Sequence, residues 1–322
     1  MMTTWAYIIK RILSSIPILL IVSLISFFLI RLSPVDPLAQ LKLNPAISQE
    51  TIEKETKRLG LDKPIIVQYG LWLKNFLSGN MGYCTDNTKV STKIKGRIFN
   101  TLILSLCVII TSWLIAIPLG VLGAVYYNSL FDKILTILSS VGMAIPSFFF
   151  AILMLIFAQK TGWFPIGGLT SVDFSQMSFF EKILDLAKHL ILPTFVLTTI
   201  SLSSLTRQMR ANLLDVLNSE YVKFAYAKGL SKSKVIIKHA LRNAINPIIT
   251  LLGFEFAGLL SGAALTEYVF QYPGLGKLIL EAVMTSDINL VMASLMIGTI
   301  MLIIGNLVSD ILLKLTDPRV RV

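Results

Sequence analysis

Long uncharged hydrophobic stretches dominate the chain and predict membrane-spanning helices. A helix that crosses a bilayer needs about 20 mostly apolar residues, because the hydrocarbon core is about 30 Å thick and each helical residue rises about 1.5 Å. Six stretches qualify: residues 12–30, the interval between Arg97 and Asp132, that between Lys133 and Lys160, that between His189 and Arg207, residues 245–265, and the interval between Asp287 and Asp310. The pattern predicts an all-α integral membrane protein with six transmembrane helices.

The first stretch is interpreted as a retained span rather than a signal peptide. Its apolar core exceeds the usual length of about 7–15 residues, and no small-residue cleavage site follows it. Five of the six stretches carry or begin with a proline: Pro17, Pro118, Pro146, Pro193 and Pro247. Neighbouring helices can satisfy the carbonyl that a proline frees in lipid, so kinks are expected at these positions.

Residues 31–97 have a different composition, rich in Pro, Asn, Lys and Glu, and predict a small exposed subdomain between helices 1 and 2. A helix is predicted over residues 48–59, with Ser48 as its cap and Gly60 as its stop. The expected organisation is therefore a first span in residues 1–30, the subdomain in 31–97, a five-helix core in 98–313 that includes a long loop at 207–242, and a tail in 314–322.

Composition agrees with this pattern and excludes other classes of protein. Hydrophobic residues make up 54% of the chain and charged residues only 15%, with a mean hydropathy of +0.74. A soluble globular domain carries about 25% charged residues, so this chain lacks the side chains to cover an aqueous surface. Disorder is excluded as well, because disordered segments have low hydrophobicity. Lipid is the expected solvent for much of the chain.

The net charge of +11 is interpreted as a topology signal. With both termini in the cytoplasm, the short cytoplasmic segments hold fourteen basic residues and the two short outer loops hold four. Basic residues accumulate in short cytoplasmic loops, so the distribution favours this orientation in a bacterial-type inner membrane. Residues 31–97 then lie outside the cytoplasm. A basic cytoplasmic rim needs no nucleic-acid partner, and none is predicted.

Metal chemistry is not expected of this chain. Its two cysteines are Cys84, in the polar segment, and Cys107, inside the second stretch, so they are not expected to pair. The two histidines, His189 and His239, lie on opposite sides of the predicted membrane. No His/Cys metal site can be assembled from this set.

Nucleotide binding by this chain is not expected either. A phosphate-binding loop needs the pattern G-x-x-x-x-G-K-[ST]. Gly276 and Lys277 resemble its end, but Gln271 stands where the first glycine belongs and Leu278 where the hydroxyl belongs. This segment also lies outside the cytoplasm in the predicted orientation. We expect no cofactor on this chain and place any ATP hydrolysis on another one.

The cytoplasmic loop at residues 207–242 is predicted to form a helix, a sharp turn and a second helix. Helix-forming residues run up to Gly229, and Ser231 can cap the next helix. The small residues Ala225 and Ala227 beside the glycine would let another protein approach closely, which favours a docking function. The alternative is a solvated amphipathic loop that lies along the lipid headgroups.

The loop resembles the EAA loop of ABC importer permeases, in the form used by the oligopeptide, dipeptide and nickel transport family. Residues 221–229 read Tyr-Val-x-x-Ala-x-Ala-Lys-Gly, and residues 239–244 read His-Ala-Leu-Arg-Asn-Ala. The wider pattern has an acidic residue where Lys223 stands, and this departure is typical of the peptide and nickel branch. Further segments that resemble this branch follow along the chain in the same order, at residues 31–37, 59–64, 145–148, 162–165, 272–276 and 317–319.

The resemblance implies a membrane subunit of the type I ABC importer kind. Such a subunit pairs with a homologous permease as a heterodimer, with two cytoplasmic ATPases that bind ATP and magnesium, and with an extracytoplasmic solute-binding protein. The expected solutes are di- or oligopeptides, or alternatively nickel or a metal chelate. The residues implied to couple the permease to the ATPases are Glu220, Tyr221, Lys223, Ala225, Ala227, Lys228, Gly229 and Leu230.

The fifth stretch carries two further features. Gly258 and Gly262 belong to a small-residue face that predicts close packing against a helix of this subunit or of its partner. Glu255 is an acid inside the membrane, where an unpaired charge is costly, so it is a candidate for the solute path. It would favour a cationic or amine-bearing substrate. The alternative is a buried hydrogen bond without a role in transport.

Two function classes compete with the permease hypothesis. A proton-coupled secondary transporter could use Glu255 and Asp310, but such proteins contain inverted repeats and no convincing repeat is present. A structural or channel-forming membrane protein would not need a cytoplasmic knob of small residues. Uptake by this chain alone would favour either alternative.

Overall fold

The computed structural model describes residues 4–32, 38, 42, 48–58 and 60–316, except for the side chains of residues 4–7, 55, 58, 257, 259–262 and 315–316. Its helices are α1 Thr4–Leu32, α2 Gln49–Arg58, α3 Ile65–Leu77, α4 Val90–Ile94, α5 Arg97–Val125, α6 Leu130–Ala144, α7 Ser147–Thr161, α8 Phe179–Leu217, α9 Glu220–Ala227, α10 Lys232–Lys234, α11 Leu241–Ala244, α12 Asn246–Val269, α13 Leu275–Met284 and α14 Ile288–Thr316. A π-helical segment, Val235–Ala240, joins α10 to α11. Within the described residues, β structure is limited to one bridge between Tyr83 and Lys89.

The predicted all-α membrane class is confirmed. Four segments of the described chain are long and apolar enough to cross a membrane: Ile8–Leu32, Val90–Val125, Phe179–Leu217 and Ile288–Lys314. The bent pair α6 and α7 makes a fifth if it is counted as one span. Helix α12 carries the fifth predicted stretch, but part of its side chains lie outside the described set. The count of six spans and the separate subdomain stay predictions.

The third predicted stretch consists of two helices rather than one. Helices α6 and α7 meet at a bend of 96°. Ile145 between them is extended, with ψ at 120°, because the ring of Pro146 disfavours a helical conformation in the preceding residue. The other prolines act differently: Pro17, Pro118 and Pro193 lie inside continuous helices, and Pro247 lies in the first turn of α12, where no amide donor is missed.

Small residues set the closest approaches between the long helices. A Cβ at Gly120 of α5 would come within 2.6 Å of the Met209 Cβ on α8, so the two helices approach too closely there for any larger side chain. Gly142 of α6 meets α8 in the same way, at Ser203. Between α12 and α14, Gly253 makes room for the Asn306 side chain. Close packing of this kind drives helix association in lipid, where the hydrophobic effect between helices is absent.

The segment between α1 and α5 agrees with its sequence in detail. The Thr51 amide donates to the Ser48 hydroxyl at 3.3 Å, so Ser48 caps α2 as predicted. Gly60 has a φ of +65°, a conformation that favours glycine, and it follows the end of α2. The predicted helix and its two boundaries are confirmed to within a residue.

Hydrogen bonds fasten the end of this segment to the start of α14. The Thr85 amide donates to the Asp287 carboxylate at 2.9 Å, and the Asn289 side chain donates to the Tyr83 carbonyl at 2.9 Å. Cys84 is buried between these contacts, and burial, with the nearby charge of Asp287, raises the pKa of its thiol to about 11. The thiol therefore stays protonated at neutral pH.

A buried carboxylate holds the turn before α13. Glu267 has no exposed surface and accepts hydrogen bonds from the Thr101 hydroxyl at 2.9 Å and from the Lys277 amide at 2.8 Å. A Cβ at Gly274 would overlap this carboxylate, and one at Gly276 would meet the backbone of α12. The glycines that resemble part of a phosphate-binding loop thus make room for an internal acid.

Replacing Glu267 with alanine is expected to lower thermal stability, because the buried donors of Thr101 and Lys277 lose their acceptor. Each unsatisfied buried donor costs about 1–3 kcal/mol. Glu267→Gln keeps the shape and one acceptor oxygen and serves as the matched control. Melting of the purified protein in detergent, followed by tryptophan fluorescence, should show a clear drop for alanine and a smaller one for glutamine. If the alanine variant melted at the same temperature as the parent, the stabilising role of Glu267 would be contradicted.

Candidate docking loop

Helix α9 occupies the first half of the loop that was predicted to dock. It begins after Ser219, which is extended, and it ends where the Lys228 amide donates to the carbonyls of Phe224 and Tyr226. Gly229 follows with a φ of +77°. The predicted helix and its glycine stop are confirmed. Among the described residues, no atom lies within 4 Å of the position that a Cβ at Gly229 would take, so the glycine is required by its backbone conformation and not by crowding.

The second half of the loop turns back toward α12. Ser231 occupies the N-cap position of α10, as predicted, but its hydroxyl makes no capping hydrogen bond. Its carbonyl instead accepts from the Val235 amide at 3.0 Å. The chain continues through the π-helical segment and α11 to Ile245. The helix–turn–helix arrangement is therefore present, with a second arm built from three short pieces.

The inner face of α9 is buried against the carboxyl-terminal half of α8 and against the second arm of the loop. Val222 has no exposed surface, and Ala225, one turn later, is 6% exposed. They belong to one hydrophobic cluster with residues of α5, α8, the second arm and α12: Ala116, Ala124, Leu205, Met209, Leu213, Val235, Ala240, Ala244 and Ile248. A displacement of α9 must therefore move the elements that share this cluster or break it.

This packing corrects the prediction for Ala225. We expected its small side chain to let another protein approach, but it faces its own chain. Residues 222 and 225 are three apart, so they share one face of a helix. Ala227 lies on the exposed side, as the docking hypothesis requires.

The outer face of α9 presents aromatic side chains to the surroundings. Tyr221, Phe224 and Tyr226 are 44%, 61% and 40% exposed. The Lys228 ammonium lies 4.6 Å from the centre of the Phe224 ring, within range of a cation–π contact. Aromatic residues flanked by charges are typical of protein interfaces, where they act as anchors. Phe224 was not among the predicted docking residues, although its helical spacing from Tyr221 in a basic loop indicated that the two aromatic rings share a face.

The remaining predicted residues either hold α9 in place or lie exposed on its surface. Glu220 and Lys223 form an exposed ion pair of 2.8 Å, which contributes little stability. The Tyr221 hydroxyl accepts from the Asn243 side chain at 2.7 Å and ties α9 to α11. Leu230 packs against the hydrophobic cluster. The eight predicted loop residues thus lie in one short segment, with two of them turned inward.

The features predicted for the fifth stretch lie elsewhere, in α12. The Trp113 indole donates to the Glu255 carboxylate at 2.8 Å, so the alternative of a hydrogen bond inside the helix bundle is present. Among the described residues, no atom lies within 4 Å of the position of a Cβ at Gly258, and the surroundings of Gly262 lie outside the described residues. Close packing at Gly258 and Gly262, against a helix of this subunit or of its partner, stays a prediction.

Asp310, the second acid of the proton-coupled alternative, is engaged in an ion pair with Arg11. The pair joins α14 to α1. In the part of the chain that is described, no group of three or more His, Cys, Asp or Glu side chains could hold a metal ion.

Comparison with known proteins places the whole chain in one family. The sequence model described as "Binding-protein-dependent transport system inner membrane component" matches residues 116–322, and its amino-terminal companion matches residues 4–115. The boundary between the two matches falls inside α5. The chain is 41% identical to the oligopeptide transport system permease protein AppB of Bacillus subtilis over 98% of its length and 99% of that protein. It is 34% identical to the dipeptide transport system permease protein DppB of Alkalihalophilus pseudofirmus, with the same shares covered.

Shortening the buried anchor of α9 should loosen this helix. Val222→Ala removes two methyl groups from a fully buried site, and each buried carbon contributes about 0.8 kcal/mol. Since about 1.4 kcal/mol corresponds to a factor of ten, amide hydrogen exchange across Glu220–Ala227 should become about tenfold faster. Phe224→Ala, on the exposed face, is the control and should leave exchange unchanged. Equal exchange in both variants would contradict the packing of α9 on α8.

Proposed function

The chain belongs to the family of inner-membrane components of binding-protein-dependent transport systems, and from this premise we propose that it is one permease subunit of an ATP-driven peptide importer. The proposed solutes are di- or oligopeptides, which the names of the relatives support. A homologous permease would complete the translocation path, and an extracytoplasmic binding protein would deliver the peptide. Both termini would lie in the cytoplasm.

The observation that carries this proposal is that α9 is buried on one face and exposed on the other. Its inner residues are packed on α8, while its outer aromatic residues are exposed. An exposed Phe224 beside a lysine suits a groove that combines an apolar floor with acidic rims. In the proposed assembly that groove belongs to an ATPase subunit, one for each permease. The ATPase subunits would bind ATP and magnesium, and this chain would contribute no catalytic residue.

The mechanism follows from the contacts of α9. Closure of the ATPases on ATP displaces the helix, and the burial of Val222 against α8 passes the displacement to that helix. Helix α8 carries α5 with it, because the two approach closely at Gly120. The bundle thereby turns from an inward-facing to an outward-facing state, where the binding protein releases its peptide. Coupling of this kind requires that ATP and the peptide each favour one of the two states.

Gly229→Val is expected to uncouple transport without preventing membrane insertion. A β-branched residue is strongly disfavoured at a φ of +77°, so the turn shifts and α9 no longer presents its outer face correctly. Peptide uptake into proteoliposomes that contain the complete transporter should fall at least about tenfold, the factor that corresponds to about 1.4 kcal/mol. Peptide-stimulated ATP hydrolysis should be lost.

The matched control is Gly79→Val. Gly79 has a φ of +80°, and no described atom lies within 4 Å of its Cβ position, so the strain is the same but α9 is not involved. Uptake should persist in this variant. Unchanged stimulation in Gly229→Val would refute the docking role, and uptake by this chain alone in liposomes would refute the ATP-driven importer as a whole.

Glu255 is proposed to lie along the peptide path, where its carboxylate would favour cationic substrates. Glu255→Gln keeps an acceptor for the Trp113 indole but removes the charge. Hydrogen bonds to charged groups contribute about 1.5–3 kcal/mol, so uptake of tri-lysine should fall about tenfold or more, while uptake of tri-glutamate should not fall. Each uptake rate is compared with that of the parent for the same peptide, which removes the preference of the binding protein. An equal loss for both peptides would indicate a purely structural carboxylate.

A further inference from the structure

An ion pair between a buried aspartate and a partly exposed arginine joins α6 to α8. The Arg210 guanidinium donates to the Asp132 carboxylate through both Nε and Nη2, the latter at 2.8 Å. The Asn128 amide donates to the same carboxylate at 2.9 Å. Asp132 is only 2% exposed. A two-point contact between a guanidinium and a carboxylate fixes direction as well as distance, so it resists both sliding and separation.

The surroundings of the pair leave little freedom for rearrangement. A Cβ at Gly123 of α5 would come within 2.9 Å of the Leu135 side chain and 3.4 Å of the Arg210 side chain. The guanidinium carbon of Arg210 lies 5.3 Å from the centre of the Tyr127 ring. The pair therefore occupies the junction at which α5, α6 and α8 meet.

The same stretch of α8 also packs in the cluster that buries α9. Met209 and Leu213, on either side of Arg210 along the chain, have no exposed surface and belong to the cluster that buries Val222 and Ala225. One stretch of α8 thus contacts α9 through apolar side chains and α6 through a charged one. Any displacement that reaches this part of α8 acts directly on the ion pair.

Helix α6 has few other buried anchors. Its buried residues are Asp132, Leu135, Ser139 and Gly142, a narrow stripe at helical spacing. Much of the remaining surface, including Ile134, Ile137 and Leu138, is exposed. Asp132 is the charged member of the stripe and stands at its start. Beyond the stripe the chain bends by 96° into α7.

We propose that the Arg210–Asp132 ion pair makes α6 follow α8 when the docking loop is displaced. The proposal rests on the proposed function, in which an ATPase moves α9. Separating the pair would leave a charge buried without its partner, which is strongly unfavourable, so the two helices move together. Arg210 and Asp132 are positioning residues: they touch neither peptide nor nucleotide and act through the helices that they join.

The test measures whether α6 and α8 move together in the assembled transporter. Nitroxide labels are placed at the exposed positions Ala211 on α8 and Lys133 on α6, each paired with a label at Val283 on α13, after Cys84 and Cys107 are replaced by serine. Pulsed electron resonance gives both distances without nucleotide and with ATP and vanadate. In the parent, both distances should shift.

In Asp132→Asn the shift of the Ala211 label should persist, while that of the Lys133 label should fall by at least half. The double variant Asp132→Asn with Arg210→Gln removes both charges and should give the same result without a lone buried charge. The control is Asp310→Asn, which breaks the Arg11–Asp310 pair between α1 and α14 and should preserve both shifts. Size-exclusion chromatography confirms that each variant assembles.

The outcomes separate this inference from the proposed function. If both labels shifted as far in Asp132→Asn and in the double variant as in the parent, the proposal that the ion pair makes α6 follow α8 would be overturned. The docking function would stay intact. Loss of both shifts in these variants would also overturn it, because the pair would then be needed for the motion of α8 itself. Absence of any shift in the parent would overturn the docking function and the inference together.

Discussion

The close contact between α5 and α8 supports the rest of the structure. Gly120 lets the Met209 side chain approach the backbone of α5, and the two long helices then share an interface along much of their length. Other elements attach to this pair: α6 at Gly142, and α9 at Val222. In lipid, such packing replaces the hydrophobic effect as the source of association between helices. A bundle built this way transmits displacement, because a packed interface cannot deform continuously.

Polar groups within this apolar protein act as fasteners between helices. An unpartnered polar group in a low-dielectric environment is costly, and four contacts of this protein pair such groups across different elements. The contacts are Arg210 with Asp132, Arg11 with Asp310, Trp113 with Glu255, and Thr101 with Glu267. Their partners are far apart in sequence, which places each contact where two or three helices converge. These contacts join particular pairs of helices: α6 with α8, α1 with α14, and α5 with α12.

Helix α9 has only eight residues, and its conformation depends on its neighbours. An isolated helix of fewer than about 12 residues is marginal in water. The burial of Val222 and Ala225 and the contact between Tyr221 and Asn243 hold α9 in place from one side. The other side keeps its aromatic residues exposed, a cost that a partner can remove. A short helix held on one face and open on the other is suited to passing a displacement from one protein to another.

Local features of this protein were determined by the sequence itself. The cap at Ser48 and the glycine turns at positions 60 and 229 depend on a few consecutive residues, and the membrane class depends on long apolar runs, so the pattern alone predicted them. The inward orientation of Ala225 and the meeting of Arg210 with Asp132 were decided only by the tertiary structure. Each depends on which helix lies alongside, and that is set by the packing of residues that are distant in the chain and not by local conformational preference.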